Sequence, residues 1–251
     1  MKTLANAVLT ACLVVANIGA NVQAGKLSAG IAVISAQSPF IGEGTKTLLI
    51  PAVKYDTENF HYFLDSAAYT FVNHKSNAFS CSASGVAKLR YLYRDKEGDL
   101  AGMVDRGASL DVGIKFNTKA SWGNLGLTFI ADATSKHEGN ETSVSYSYDH
   151  MATNKLIFTP SIEISNYSKK LADYNYGVRA SEAITATRAE YHPDDAMLGK
   201  VNLTIIYLLS EHWTLLQNTN ITYLDDTLTN SPIVIEDREI QVFFGALYKF
   251  D

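Results

Sequence analysis

The sequence predicts a single antiparallel transmembrane β-barrel of about twelve strands, its apolar face turned outward to lipid. Three observations carry that prediction. Apolar and polar residues alternate with period two along most of the chain, while helical periodicity is scarce. Short connections between strands alternate with long ones. An export segment opens the chain, and an aromatic-rich alternating strand, "EIQVFFGALYKFD", stands at its end.

The chain has 251 residues, 19% charged and 47% hydrophobic, a composition that excludes disorder. No apolar run approaches the eighteen or so residues that a spanning helix requires. Residues 1–24, "MKTLANAVLTACLVVANIGANVQA", place Lys2 before an apolar core and end in Val22-Gln23-Ala24, the pattern of a secretory signal cleaved before Gly25. Leu9-Thr10-Ala11-Cys12 resembles a lipoprotein box, but only about five apolar residues separate it from Lys2, short of a normal hydrophobic region. The barrel domain is then 25–251. Without Lys2 its 20 Lys+Arg face 26 Asp+Glu, a net charge of −6 with scattered positives. That offers no basic groove, so nucleic-acid binding is not expected. Cys81, the single cysteine left, falls in step with Phe79, Ala83, Ala87 and Leu89 as a small apolar strand residue.

Taken in order, Leu27-Ala29-Ile31-Val33 reads as the first strand, ended by the loop "AQSPFIGEGTK". Residues 47–55 follow, then the turn "DTEN" and two longer β-rich segments, 60–72 and 78–94, either side of "NHKSN". A polar loop leads to Ala108-Leu110-Val112-Ile114-Phe116, opposed by Ser109, Asp111, Gly113 and Lys115. Four further segments, at 125–133, 144–148, 156–164 and 201–207, repeat the two-faced pattern. In 215–223 it is weaker, because Gln217 and Thr219 share the face of Leu215, Ile221 and Tyr223. With the final strand these make about eleven; a single-chain bacterial barrel with both ends in the periplasm needs an even number, so twelve is expected, with ten as the alternative and 60–94 as the place where the count is open.

Alternation alone does not say which face looks outward, since a lipocalin-like barrel reverses it. The export segment, a strand count beyond eight and the chain end decide for the membrane. Short turns at 118–121, 151–154 and 210–212 suit the periplasm, and longer loops at 135–141, 165–196 and 225–237 suit the outside. Phe116 and Trp122 flank one short turn, and Tyr207 and Trp213 another, as aromatics of a membrane–water interface do. Lys119 and Glu211 are expected in those two periplasmic turns. Gly245, Tyr248 and Phe250 stand where outer-membrane barrels present their last strand to the barrel-assembly machinery; Asp251 after the Phe and Phe243 at a usually polar place depart from that pattern.

The C-terminal third, "LLSEHWTLLQNTNITYLDDTLTNSPIVIEDREIQVFFGALYKF", resembles the closing strands of the MipA/OmpV family of outer-membrane proteins, with Ser231-Pro232-Ile233-Val234 as its most specific block. "YNYGV" (174–178), "RGASLDVGIKF" with "SWGNLGL", and "PAVKYDTENFHYFL" are similar to other family stretches, whereas the loop after Ser38-Pro39-Phe40 is shortened to "IGEGTK". The resemblance implies localisation in the bacterial outer membrane and a non-enzymatic scaffold role, bridging a lytic transglycosylase and a murein synthase in peptidoglycan remodelling. It also leaves a small-solute channel or a surface adhesin as alternatives, and it supplies no catalytic residues.

The residues themselves offer little chemistry, and neither enzyme activity nor a cofactor is expected. His74-Lys75-Ser76 has the spacing of some lipid A deacylases but reads as a polar turn with no Glu orienter. His192, Asp194 and Asp195 in "HPDD" are too few to specify a metal and read as a solvated loop. His137-Glu138 and Asp149-His150 read as loop and strand-end residues. Lys88 and Arg90 share the polar face of their strand, where they either tune anion passage or pair with carboxylates such as Asp65, Asp111 or Glu163 and close the lumen.

Overall fold

The computed structural model describes residues 25–91, 98–184 and 187–250; the expected signal at 1–24 and Asp251 lie outside the described residues. Twelve antiparallel strands form one closed barrel. They are β1 Lys26–Gln37, β2 Thr45–Asp56, β3 Phe60–Phe63, β4 Ser66–Lys75, β5 Phe79–Arg90, β6 Ser109–Ala120, β7 Gly123–Asp132 and β8 Asn140–Ser147, then β9 Leu156–Tyr167, β10 Ala196–Leu208, β11 Trp213–Leu224 and β12 Arg238–Lys249. After a break at Tyr148-Asp149, β8 resumes for His150–Met151 and stays paired with β9. Each strand pairs with the next, and β12 returns to β1 from Ser28↔Lys249 to Gln37↔Ile240. Closure gives every strand a neighbour on both sides; on β2 the ladder stops early, at Lys54, where β3 is short.

The twelfth strand comes from the segment 60–72, expected as one strand and found as two. β3 is four residues long and turns at Leu64-Asp65 into β4. Leu64 takes φ 54°, a left-handed conformation that a branched side chain rarely adopts. The phenol of Tyr62 donates to the Leu64 carbonyl at 2.8 Å, and the Leu64 side chain packs on an apolar cluster, so burial holds the turn in place of Gly or Asn. β4 then runs on through His74 and Lys75, shifting register between Thr70 and Val72. The expected "NHKSN" turn is therefore corrected to residues 76–78, where the Ser76 hydroxyl accepts from the amides of Ala78 and Phe79.

Parity sets the two faces. Ile31, Leu49, Phe129, Ile164 and Phe244 point outward and are about half exposed or more, as a lipid-facing wall requires. The opposite parity fills the lumen unevenly. From β5 round to β11 it presents mainly Ser, Thr, Asn, Asp, Glu and Lys. On β12, β1 and β2 it presents Phe243, Leu247, Ala32 and Ala52, all buried, with Ile34, Ile50, Phe63, Leu64 and Leu216 packed against them. Phe243, at a place expected to be polar, meets Phe63 edge to face with centroids 6.0 Å apart. Pro51 on β2 has no N–H, which β2 tolerates because β3 reaches only as far as Lys54 on that side. No described helix is long and apolar enough to cross a membrane.

Candidate functional site: a capped, ion-paired lumen

The long connections gather at the barrel end remote from the strand termini Lys26 and Lys249 and fold into a cap. Within it, α1 (Lys169–Tyr176) and the single turn α2 (Asp226–Thr229) sit among residues 38–44, 98–108 and 225–237. Leu171, Val178, Leu228 and Ile233 are wholly buried there, beside Phe40, Leu100 and Tyr176. Burying each such aliphatic side chain stabilises the cap by about 1.5–3 kcal/mol. Backbone pairing ties the pieces: Ile41 N–H donates to Ile233 O at 2.9 Å, and Phe40 bridges Val234. The Ser231 hydroxyl donates to Tyr176 O at 2.6 Å. Ser231-Pro232-Ile233-Val234 and Tyr174-Asn175-Tyr176-Gly177-Val178, the two stretches that carried the family resemblance, are thus neighbours in this cap.

Two arginines lock it. Arg106 meets Glu182 through Nη1 at 2.8 Å and Nη2 at 3.0 Å, both side chains inaccessible to water. Glu182 also accepts from the amides of Val104 and Arg179, each at 2.9 Å. Burial alone would raise this carboxyl; the hydrogen bonds from Arg106 and the two amides outweigh it and hold Glu182 down at about 2. Arg188 donates to the carbonyls of Glu182, Asp99 and Ala101, joining segments far apart in sequence.

Below the cap, charges from five strands converge in the lumen. Arg90 on β5 reaches Asp111 on β6 at 2.9 Å and Glu141 on β8 at 2.7 Å. Lys200 on β10 reaches Glu163 on β9 at 2.7 Å and Glu141 at 3.3 Å. The Tyr167 ring lies 5.5 Å under the Arg90 guanidinium, and the Tyr176 phenol of α1 donates to Glu239 of β12 at 3.0 Å, joining cap to wall. Lys88 sits in the same group, within the fields of Glu141 and Asp65. Of the two roles open to Lys88 and Arg90, pairing with carboxylates is found for Arg90, with Asp111 and with Glu141. Glu163 is taken by Lys200.

Asp111, Asp132 and His137 bring potential metal-ligand atoms within 4.8 Å of one another. Their lone pairs are already in use. His137 Nδ1 accepts from Gly139 N–H at 3.0 Å, so its other nitrogen carries the proton and donates to Asp111 at 2.8 Å. Asp132 accepts from the amides of Thr134, His137 and Glu138. The trio is a hydrogen-bonded clasp for the loop after β7, and His137, in that loop as expected, is one of its buried members. His192 binds Asp173 at 2.7 Å and Glu190 at 3.0 Å, while Asp194 pairs with Lys169, so "HPDD" also spends its groups on local contacts. His74 lies in β4 opposite Cys81 on the outward face, its ring 6.3 Å from that of Phe79.

The remaining expected residues fall as follows. Phe116, Trp122, Tyr207 and Trp213 all project outward and are exposed. Trp122 stacks on Tyr146 at 6.4 Å, and Trp213, Tyr248 and Phe250 form an edge-to-face chain at the terminal rim. Gly245 faces inward, where an added Cβ would come within 3.0 Å of the Phe243 ring; its role in this fold is to seat that ring. Glu211 is in the turn 209–212. Lys119 is the penultimate residue of β6 and binds Asp149 at 2.9 Å.

Compared with known proteins, residues 29–250 match the family model described as "MltA-interacting protein MipA". The chain is a member of the MipA family. It is 25% identical over 234 residues to the putative outer membrane protein YiaT of Escherichia coli K12, covering 92% of this chain and 94% of that one. To the MltA-interacting protein of the same strain it is 24% identical over 227 residues, covering 90% and 91%. To OmpV of Vibrio cholerae it is 26% identical over 200 residues, covering 78% and 76%. Among solved structures, OmpT of Vibrio cholerae is similar with a TM-score of 0.43 and 8% identity, covering 92% of this chain and 99% of that one. This MipA-family protein is an outer-membrane β-barrel.

Proposed function

We propose that this barrel is a non-conducting platform for peptidoglycan-remodelling enzymes, exported through residues 1–24 and folded through its last strand. Its terminal rim faces the periplasm and its cap faces outward. In this reading the short turns at 57–59, 121–122, 152–155 and 209–212 meet a lytic transglycosylase and a murein synthase and hold them together at the inner surface of the outer membrane. The observation that carries it is the stopper: a cap with fully buried aliphatic residues, above a lumen crossed by the Arg90–Glu141–Lys200 ion pairs. Lumenal charges paired with one another are not free to select or coordinate a passing ion. A family relative named for interaction with MltA supports the choice of partner.

A second reading, a small-solute channel, is favoured by one feature. A lumenal cavity of about 270 Å³ is lined by Ser145, Ser161, Glu163, Lys200, Asn202 and neighbouring amides. Photocrosslinking in cells from Glu211 and Asn154, with Ile235 of the cap as control, tests the platform. Adducts with a murein hydrolase or synthase from the two turns and not from Ile235 are expected. Adducts from Ile235 alone would reverse the orientation, and steady single-channel conductance with no periplasmic adduct would establish the channel instead.

A further inference from the structure

A row of polar side chains lines the lumen beside the stopper. Ser161 on β9, Asn202 on β10, Asn220 on β11 and Gln241 on β12 are direct register partners across four neighbouring strands. Their parity is inward, since each stands two residues from a lumenal neighbour: Glu163, Lys200, Thr222 and Phe243. In the other direction the row continues through Ser147 and Asn124 to Lys119, the penultimate residue of β6. Because barrel strands tilt, it climbs from the terminal rim to the cavity of about 270 Å³ beside the Lys200–Glu141 pair.

Hydrogen bonding divides the row. Asn202 is fixed: its Oδ1 accepts from Asn218 at 3.0 Å, and its Nδ2 donates back at 3.3 Å. Asn220 uses only its Nδ2, on the Thr222 hydroxyl at 3.3 Å, which leaves its Oδ1 open. Ser145, Ser161 and Gln241 make no side-chain hydrogen bond among the described residues, although all three line the cavity. At the cavity edge Glu163 and Lys200 neutralise one another at 2.7 Å. Gln241 faces inward yet is exposed, and so is Lys115 on the inward face of β6. The lumen on the rim side of the stopper is therefore wet and reachable.

We propose that this cavity is a binding pocket for a neutral sugar, entered from the terminal rim. The lining fixes the class. Its ionised groups are paired with one another, so neither an anion nor a cation gains a free counter-charge there. The open groups include donors and acceptors, and a sugar hydroxyl is both. Adjacent hydroxyls on a ring are answered by the N–H and C=O of one primary amide together. The volume lies just under the range of about 300–1,000 Å³ that drug-sized ligands occupy, which suits one sugar ring and not a chain. With the cap and the ion pairs closing the other end, the cavity is a pocket and not a passage. Occupancy needs no partner enzyme, so the pocket stands or falls apart from the platform.

The test is saturation-transfer NMR and titration calorimetry on the whole barrel purified from outer membranes, in a detergent without a sugar headgroup. The probes are glucose, galactose and N-acetylglucosamine, with glycine as the zwitterion and gluconate as the anion. At least one sugar should bind saturably and one to one. Asn220→Ala combined with Gln241→Ala should weaken it by at least about tenfold, because two open bonding groups are lost. Ser161→Leu, which puts an apolar side chain into the cavity, should abolish binding. Lys115→Ala, lumenal but outside the cavity, should leave it unchanged. All variants should keep the heat-modifiable migration of a folded barrel, which separates a lost site from a lost fold. Absence of saturable binding by all three sugars would overturn the proposal, because the cavity then holds only water. So would tighter binding of glycine or gluconate, or an affinity that both cavity variants leave unchanged.

Discussion

Replacing Arg106 by Met strands a buried carboxylate in the cap. Arg106 and Glu182 are both buried, and breaking a buried pair by deleting one partner costs about 3–5 kcal/mol. Arg106 and the two amides together hold Glu182 down at about 2, so the substitution removes part of that stabilisation and leaves the amides' share. Glu182 keeps its bonds from the Val104 and Arg179 amides, which makes those two amides local reporters. Hydrogen exchange on the folded protein should show them exchanging on the order of 100-fold faster in Arg106→Met, with strands β6–β9 unchanged. Adding Glu182→Gln removes the stranded charge and should recover part of the protection. Unchanged exchange at both reporters would refute the claim that this pair locks the cap. So would equal acceleration across the barrel strands, since the effect would then not be local.

Acid should act on the same lock with a definite sign. The depressed Glu182 contributes stability that is present above its unfolded value near 4.5 and lost as pH falls toward 2, so cap exchange should be flat at neutral pH and quicken only across that window. His192 behaves oppositely. Hydrogen bonds to Asp173 and Glu190 raise its pKa, so its contribution is present below about 6.5 and lost as pH rises through the folded value; Glu190 and α1 should exchange faster in alkali, and His192→Gln should abolish the dependence. In the lumen, Phe243→Ala removes the ring that meets Phe63 and should lower stability by about 3–5 kcal/mol, read as an earlier midpoint in urea unfolding from lipid vesicles. A shift below 1 kcal/mol would mean that the lumen collapses around the void.

Much of the wall could be read from the sequence because its physics is one-dimensional. Period two puts Ile114 and Asp111 on opposite faces without knowledge of any neighbour, and the export segment and last strand say which face is outward. The count failed to resolve at Phe60–Lys75 for a local reason: the turn there is made by Leu64, which carries no turn signal, and β3 is too short to show alternation. The lumenal network was half visible. Parity placed Lys88, Arg90 and Glu163 inside, but the stagger between strands decides that Arg90 meets Asp111 and Glu141, and stagger is not a property of any single segment. The cap was the least visible part. Leu171, Leu228 and Ile233 sit in helices of one or two turns or in bare loop, too short to show a period. The Ser-Pro-Ile-Val block signalled something specific there, and the structure explains it as the segment on which Phe40 and Tyr176 close.

The lumenal cluster of Ala32, Ala52, Phe243 and Leu247 has a kinetic meaning as well. It draws on the first two strands and the last, so it cannot form until β12 has found β1, a contact between residues some 220 positions apart at Ser28 and Lys249. Contacts of that sequence separation are the slowest to be made, because the loop entropy is lost before any burial compensates it. An unclosed sheet would leave the Phe243 ring in water on one side and two strand edges unpaired. Closure therefore delivers backbone pairing and apolar burial in the same event, and the barrel should insert in a single cooperative phase whose rate tracks substitutions in β12 and β1 and ignores those in the cap.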